Sequence, residues 1–303
     1  MLELGATAAG GDLLSDGEGD RGYQVFVDSE IYLQAELEAG ENLAVGASVT
    51  LITDTRDDDE INADETFLYL ENGFGLVQLG RTEGAEDNLA LGADVIAAGT
   101  GGIDGDTANL GEVEITNSGD AAKISYFTPR LAGLQFGVSY TPDTGDAESQ
   151  NDGEGGEEGE DLDNHVGVGV NLVGALGDVE AGLAVVGSFG NAEQAETDNL
   201  RAVAIGGTAA LDAIELGASF GHVDQAEDVD FATVGVTIGF GEAHLGVGYN
   251  YVDESTAGVT HVTAFSGDVE ILKGIELQGD VSYSNLKSGD ETVACVVGVE
   301  LSF

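Results

Sequence analysis

Tryptophan is absent from this 303-residue sequence, proline occurs twice, cysteine once, and Lys and Arg together only eight times. Each scarcity excludes something. A lone Cys295 leaves no intrachain disulfide and no thiolate cluster for zinc or iron–sulfur ligation. Eight cations against 58 Asp and Glu give 8 − 58 = −50 formal charge, which excludes nucleic acid as a partner, because phosphate neutralisation needs basic side chains. No run of 18 apolar residues occurs, so a transmembrane helix is excluded. Membrane strands are not, since they carry only a weak alternating signal. The opening MLELGATAAGG has neither a basic stretch nor an apolar core, so a signal peptide is not expected and the chain reads as a mature form.

What is present argues for a folded chain. Apolar residues make up 42% of the sequence and the mean hydropathy is +0.02, too oily for the disorder that such acidity usually signals. Glycine is abundant, at 48 residues, without a Gly-X-Y period and nearly without proline. That combination points to close backbone packing.

Apolar residues recur at every second position. In Tyr23–Glu38 one face carries Val25, Val27, Ile31, Leu33 and Leu37, and the other Gln24, Asp28, Glu30, Gln34, Glu36 and Glu38. The same alternation returns in Leu43–Leu51, Leu134–Thr141, His165–Leu172, Val179–Val185, Ile214–Phe220, Val234–Phe240, Leu245–Tyr251, Ile275–Tyr283 and Val293–Phe303. With less regular stretches near 2–10, 65–72, 76–81, 121–128, 200–209 and 258–271, about sixteen strands are predicted. Tight turns at 39–41, 72–75, 129–133, 174–178, 211–213, 241–242 and 272–274 alternate with longer connections, the pattern of an up-and-down meander with one tight rim. The longer connections are acidic: ten of the 21 residues from Asp143 to Asp163 are Asp or Glu.

Two architectures fit the alternation. A soluble, salt-adapted secreted β-protein with a binding role would pack its apolar face on a second sheet. A membrane barrel would turn that face to lipid and leave the acidic face around water. Aromatics gathered toward strand ends favour the barrel, and Tyr69, Phe74, Phe127, Tyr140, Tyr249, Tyr251, Tyr283 and Phe303 are expected to form interfacial girdles. Residues 82–120 form one long connection without period, and Leu89, Leu91, Val95, Ile96, Ile103 and Leu110 make it too apolar for a solvated tail. Inside a wide barrel it would pack on the inner wall and narrow the channel.

The phrase from Phe74 to Arg81 before that loop, the phrase from Tyr126 to Asp143 after it, and the alternating last strand ending in Phe303 resemble the Gram-negative general porins, most of all those of α-proteobacteria. The resemblance implies a single all-β domain over 1–303. That domain would be a 16-stranded antiparallel transmembrane β-barrel with short periplasmic turns, long outer loops and an inward-folded third loop. It further implies a homotrimer in the outer membrane of a Gram-negative bacterium, with outer-membrane lipid around it, and passive diffusion of small hydrophilic solutes. Carried over by position, the constriction would set Glu83, Glu86, Asp87, Asp94, Asp104 and Asp106 on the loop against Arg81 and Lys123 on the wall. Arg81 shares parity with Val77 and Leu79, so it faces inward only across a bulge at Gly80.

The inward acids Asp28, Glu30, Glu36, Glu180, Glu215, Glu276, Asp280 and Glu300 would line the pore, and with few bases opposite them cation selectivity follows. No cofactor is expected; calcium, weakly held, fits the carboxylate run Asp57, Asp58, Asp59 and Glu60. A G-x-S-x-G match at Gly217–Gly221, followed by His222, allows a third reading as a barrel hydrolase acting through Ser219. A nucleophile elbow needs a strand–turn–helix setting, however, and these residues lie inside an alternating strand. No enzyme is expected.

Overall fold

The computed structural model describes residues 12–13, 23–24, 28–40, 42–54, 62–93, 115, 118–145, 162–192, 198–226, 228–256, 258–285 and 291–302. Two short strands, β1 (Asp12–Leu13) and β2 (Tyr23–Gln24), precede fifteen longer ones. These are β3 (Asp28–Gly40), β4 (Leu43–Asp54), β5 (Asn62–Asn72), β6 (Gly75–Arg81), β7 (Ala122–Phe127), β8 (Leu134–Asp143), β9 (Leu162–Leu176) and β10 (Val179–Ala192). They continue with β11 (Leu200–Leu211), β12 (Ile214–Asp224), β13 (Asp228–Phe240), β14 (Ala243–Glu254), β15 (Gly258–Leu272), β16 (Ile275–Asn285) and β17 (Glu291–Leu301). A one-turn helix, α1 (Ala85–Asn88), is the only helix among the described residues.

All strands belong to one sheet, and from β3 to β17 each pairs antiparallel with the next in sequence. At its far end β17 pairs with β1, and β1 pairs with β2. Every described tight turn falls where alternation breaks. Gly177, Gly241 and Gly274 take φ of 70°, 70° and 73°, and Asn42 and Asp212 take 62° and 52°, the left-handed backbone that two-residue hairpins demand.

On the other rim the lengths depart from expectation. Only three residues, 225–227 and 255–257, join β12 to β13 and β14 to β15. There the ladder runs on past the apolar zone into Asp224, Asp228, Asp253 and Glu254, because backbone pairing continues where hydropathy alternation stops.

The two faces of the sheet are opposites. One face exposes its large apolar side chains, among them Leu68 at 58%, Val234 at 52% and Phe265 at 61%. The other buries Ser125, Ser139, Asn171, Ser188, Asn250 and Ser282. A soluble sandwich inverts this, and no second sheet covers the apolar face among the described residues. Soluble monomers seldom expose contiguous apolar patches beyond roughly 300–600 Å²; here the exposed apolar side chains run along nearly every strand.

Two of the expected girdle aromatics face the other way. Tyr69, 7% exposed between the outward Leu68 and Leu70, and Phe127, 4% exposed, both point inward by strand parity, and the grouping by position along the strand had ignored parity. Phe74, Tyr140, Tyr249 and Tyr283 are exposed, and Tyr251 is half-buried. Phe303 lies outside the described residues.

Candidate functional site: the inserted loop and its wall

The chain leaves β6 at Arg81 and re-enters the sheet at Ala122, and the described residues 82–93 between them turn onto the inner face. A single helical turn lies at Ala85–Asn88, near the start of this segment. Residues 82–93 cross the wall strand by strand, over a path paved with glycine. A Cβ at Gly137 of β8 would stand 2.8 Å from the Leu89 Cδ1, one at Gly169 of β9 2.7 Å from the Ala85 carbonyl oxygen, and one at Gly182 of β10 2.7 Å from Leu91 Cδ1. At Gly167 of β9 it would enter the Glu86 carboxylate, and at Gly206 of β11 and Gly217 of β12 the carbonyls of Leu91 and Gly92. The wall therefore carries no side chains where the loop backbone lies against it, which accounts for much of the glycine on the polar face. Leu89 and Ala85 pack with Ile115, Phe127, Val186, Leu200 and Ala202. Asn171 Nδ2 donates to the Leu89 carbonyl at 3.3 Å. Of the other expected apolar anchors, Leu91 is half-buried, while Val95, Ile96, Ile103 and Leu110 lie outside the described residues.

The loop's carboxylates divide into two kinds. Glu86 has no solvent exposure: it turns into the wall, where Ser118 Oγ donates to its Oε1 and Ser139 Oγ to its Oε2, each at 2.8 Å. Ser139 Oγ in turn accepts from the Ala85 backbone N–H at 3.1 Å. Behind it, His165 Nδ1 stands 3.9 Å from Glu86 Oε1, and His165 Nε2 is 2.5 Å from Ser188 Oγ. Glu83 is open to solvent and Asp87 half-buried. Asp94, Asp104 and Asp106 lie outside the described residues.

Lys123 faces inward but is only 3% exposed, and its ammonium donates to the Thr82 carbonyl at 2.5 Å and to the Gly119 carbonyl. It clamps the two ends of the loop together. Its charge is met by Glu83, Glu86, Asp87 and Asp120. Arg81 sits opposite Thr66 and Ala122, both exposed, in a ladder without a register shift at Gly80. The bulge that would turn it inward is absent, although Gly80 itself takes φ 143°. Arg130 is held in a turn, its guanidinium donating to the Gly133 carbonyl, Asn171 Oδ1 and Gln135 Oε1 at 2.8, 2.8 and 2.6 Å. Arg201 is exposed with the outward parity of Val203, and Lys273 lies in a turn. Arg21, Arg56 and Lys287 lie outside the described residues.

Acids crowd the loop's base. Glu83 reaches water, yet it is enclosed by wall and loop. That desolvation, then the hydrogen bond and charge of Asp87 and the charge of Glu65, push its carboxyl up to about 9. Desolvation and the charges of Asp64 and Glu65 push Asp120 up to about 8, with Lys123 opposing both shifts. Thr82 Oγ1 donates to Glu65 at 2.6 Å.

Farther along the wall, Glu30, Glu36, Glu180, Glu215, Glu276, Asp280 and Glu300 share the inward face. Asp280 is buried and the others are half-buried or exposed. Tyr69 Oη donates to Glu36 at 2.8 Å, and Gln278 Nε2 donates to Glu276 at 2.9 Å and Glu300 at 2.5 Å. His244 joins this face with Nδ1 at 2.7 Å from Asp268. Asp28 opens β3, but its side chain lies outside the described ones, as do Asp57, Asp58, Asp59 and Glu60 altogether. Among the described residues no three His, Cys, Asp or Glu side chains converge as metal ligands. Ser219 is an inward mid-strand residue 2.6 Å from Thr233 Oγ1, whereas His222 projects from the opposite face, 2.9 Å from Asp230. No Ser–His pair forms there.

One antiparallel sheet, apolar on one face and acidic on the other, with a loop lying against its acidic face, fits the architecture of an outer-membrane channel. Residues 5–289 match the family model for Gram-negative porins, and the chain belongs to that family. Among solved structures it is similar to an engineered variant of the Rhodopseudomonas blastica porin, with a TM-score of 0.70 at 16% identity over 100% of both chains. It is also similar to the anion-selective porin of Comamonas acidovorans, with a TM-score of 0.71 at 15% identity over 99% of this chain and 98% of that one. An uncharacterized protein of Rickettsia conorii is 31% identical over 130 residues, and one of Rickettsia typhi 28% identical over 145. These matches cover 34% and 39% of this chain, and only 30% and 33% of the relatives' own lengths.

Proposed function

We propose that this protein is an outer-membrane general-diffusion porin, a water-filled, cation-preferring channel for small hydrophilic solutes. In this reading the sheet closes into a barrel. Its support is that β1 pairs with β17 on one side and β2 on the other, while β2 ends three residues before β3. Taking β2 and β3 as one strand gives sixteen. The homotrimer and the surrounding outer-membrane lipid rest on family membership.

The observation that carries the cation preference is the fate of the bases. A fold shared with an anion-selective porin leaves the sign open, so it must come from this chain's own side chains. Lys123 is consumed as a clamp, Arg130 is held in a turn, and Arg81 and Arg201 share the outward parity. The described constriction therefore presents acid without a facing base. A one-signed lining concentrates counter-ions instead of setting up a transverse field.

Reversal potential in a salt gradient across a planar bilayer tests this, and a cation-selective sign is expected at pH 7. Glu83 and Asp120 are largely protonated there, so cation preference should grow as pH rises through about 8 to 9 and they ionise. Stability runs the other way. The folded state holds these protons more tightly than the unfolded one, so stability is greatest below the ordinary carboxylate range and declines as pH rises through about 9. An anion-selective sign would overturn the reading.

A further inference from the structure

Glu86 is the loop acid whose place in the structure least suits a pore charge. It is fully buried, and its carboxylate occupies a niche that exists because Gly167 has no Cβ. It is bound at once to two otherwise separate parts: Ser139 on wall strand β8, and Ser118 on the limb of the loop that returns to β7. We propose that Glu86 is the positioning residue of the constriction, a latch that holds the inserted loop against the wall and thereby sets the width of the pore.

The wall beneath this latch is built of polar groups. Thr141 on β8 and His165 on β9 face each other in the ladder, both fully buried. Among the described residues Thr141 Oγ1 and His165 Nδ1 make no hydrogen bond, and neither does Ser125 Oγ, opposite Ser139 on β7. Buried polar atoms of this kind are ordinarily satisfied by ordered water. The Lys123 clamp makes its own hydrogen bonds, to the carbonyls of Thr82 and Gly119, although Glu86 is among the acids that meet its charge. Releasing Glu86 thus frees the span of the loop while its two ends stay tied.

This inference rests on the channel reading, and the test separates the two. Single-channel conductance and liposome swelling with sugars of increasing size are measured for the wild type, Glu86→Ala, Glu86→Gln, Ser139→Ala and the Glu86→Ala/Ser139→Ala pair. Conductance should rise about twofold in Glu86→Ala as the constriction widens, with larger sugars admitted and the reversal potential keeping its sign. Glu86→Gln, which retains an acceptor for one serine, should fall between it and the wild type. The Glu86→Ala/Ser139→Ala pair should fall short of the sum of the two single effects, because the two residues share one hydrogen bond, although Ser139→Ala also removes the acceptor of the Ala85 N–H.

Equal conductance in wild type and Glu86→Ala, or additive effects of the two substitutions, would overturn the latch while leaving the channel intact. So would unchanged conductance with weakened cation preference, which would return Glu86 to the pore lining. If Glu86→Ala does not assemble, Glu86→Gln and Ser139→Ala decide the question by the same conductance comparison. A wild type that forms no channels removes the channel reading itself.

Discussion

Val234→Lys should destabilise the membrane-inserted protein by about 2–4 kcal/mol, the range for a lysine near the bilayer midplane on the lipid face of a barrel. Val234 lies at the middle of β13 and is 52% exposed on the apolar face. Glu215 on the adjoining strand β12, three residues from the Val234 ladder partner Ala218, supplies the control. Glu215 faces inward and is exposed, so Glu215→Lys should fold with wild-type stability. The two substitutions differ in their second effect as well. Glu215→Lys should move the reversal potential toward anions, since it places a cation where the lining is acidic, whereas Val234→Lys should leave selectivity untouched. Urea-dependent unfolding from liposomes checks the first expectation and a bilayer recording the second. Equal stability of the two variants would mean that lipid does not wet the Val234 face.

Gly206→Val should displace the inserted loop. A Cβ at this position would enter the Leu91 carbonyl, and the neighbours on that side are backbone and the Ser219 Cβ, so no flexible side chain can give way. Overpacking of this kind costs about 1–3 kcal/mol, and the loop, anchored over a narrow track, is the part able to move. The expected result is a folded channel with conductance raised about twofold and a weaker cation preference, because Asp87 travels with the loop. Gly174→Ala, at a position where an added Cβ meets nothing within 4 Å, should behave as wild type. Wild-type conductance in Gly206→Val would show that the loop does not rest on the glycine track.

Strand positions were legible because a two-residue period states which side chains share a face, and a turn declares itself where that period fails. The limits of the long loop were legible for the same reason: 82–120 expected, 82–121 found between β6 and β7. What covers each face is a non-local matter, and there the sequence was silent. Nothing near Glu86 in the chain distinguishes it from Glu83, yet one meets Ser139 and Ser118, 53 and 32 positions away, and the other meets solvent.

The role of Lys123 as a clamp depends on the carbonyls of Thr82 and Gly119 being folded onto it, which its place in the sequence does not reveal. The glycines had been read only as small residues opposite apolar ones. A signal for the loop's bed was nonetheless there, in the recurrence of Gly167, Gly169, Gly182, Gly206 and Gly217 at inward positions of four consecutive strands. Tyr69 and Phe127 show the opposite lesson, since parity alone would have turned them inward.

The most direct measurement is conductance of the purified protein in a planar bilayer as a function of salt concentration. If the acidic face surrounds water, discrete steps appear, closing in threes, with conductance rising nearly in proportion to bulk conductivity. If the exposed leucines, valines and phenylalanines instead meet a protein partner, the protein stays folded and monodisperse without detergent and no steps are seen.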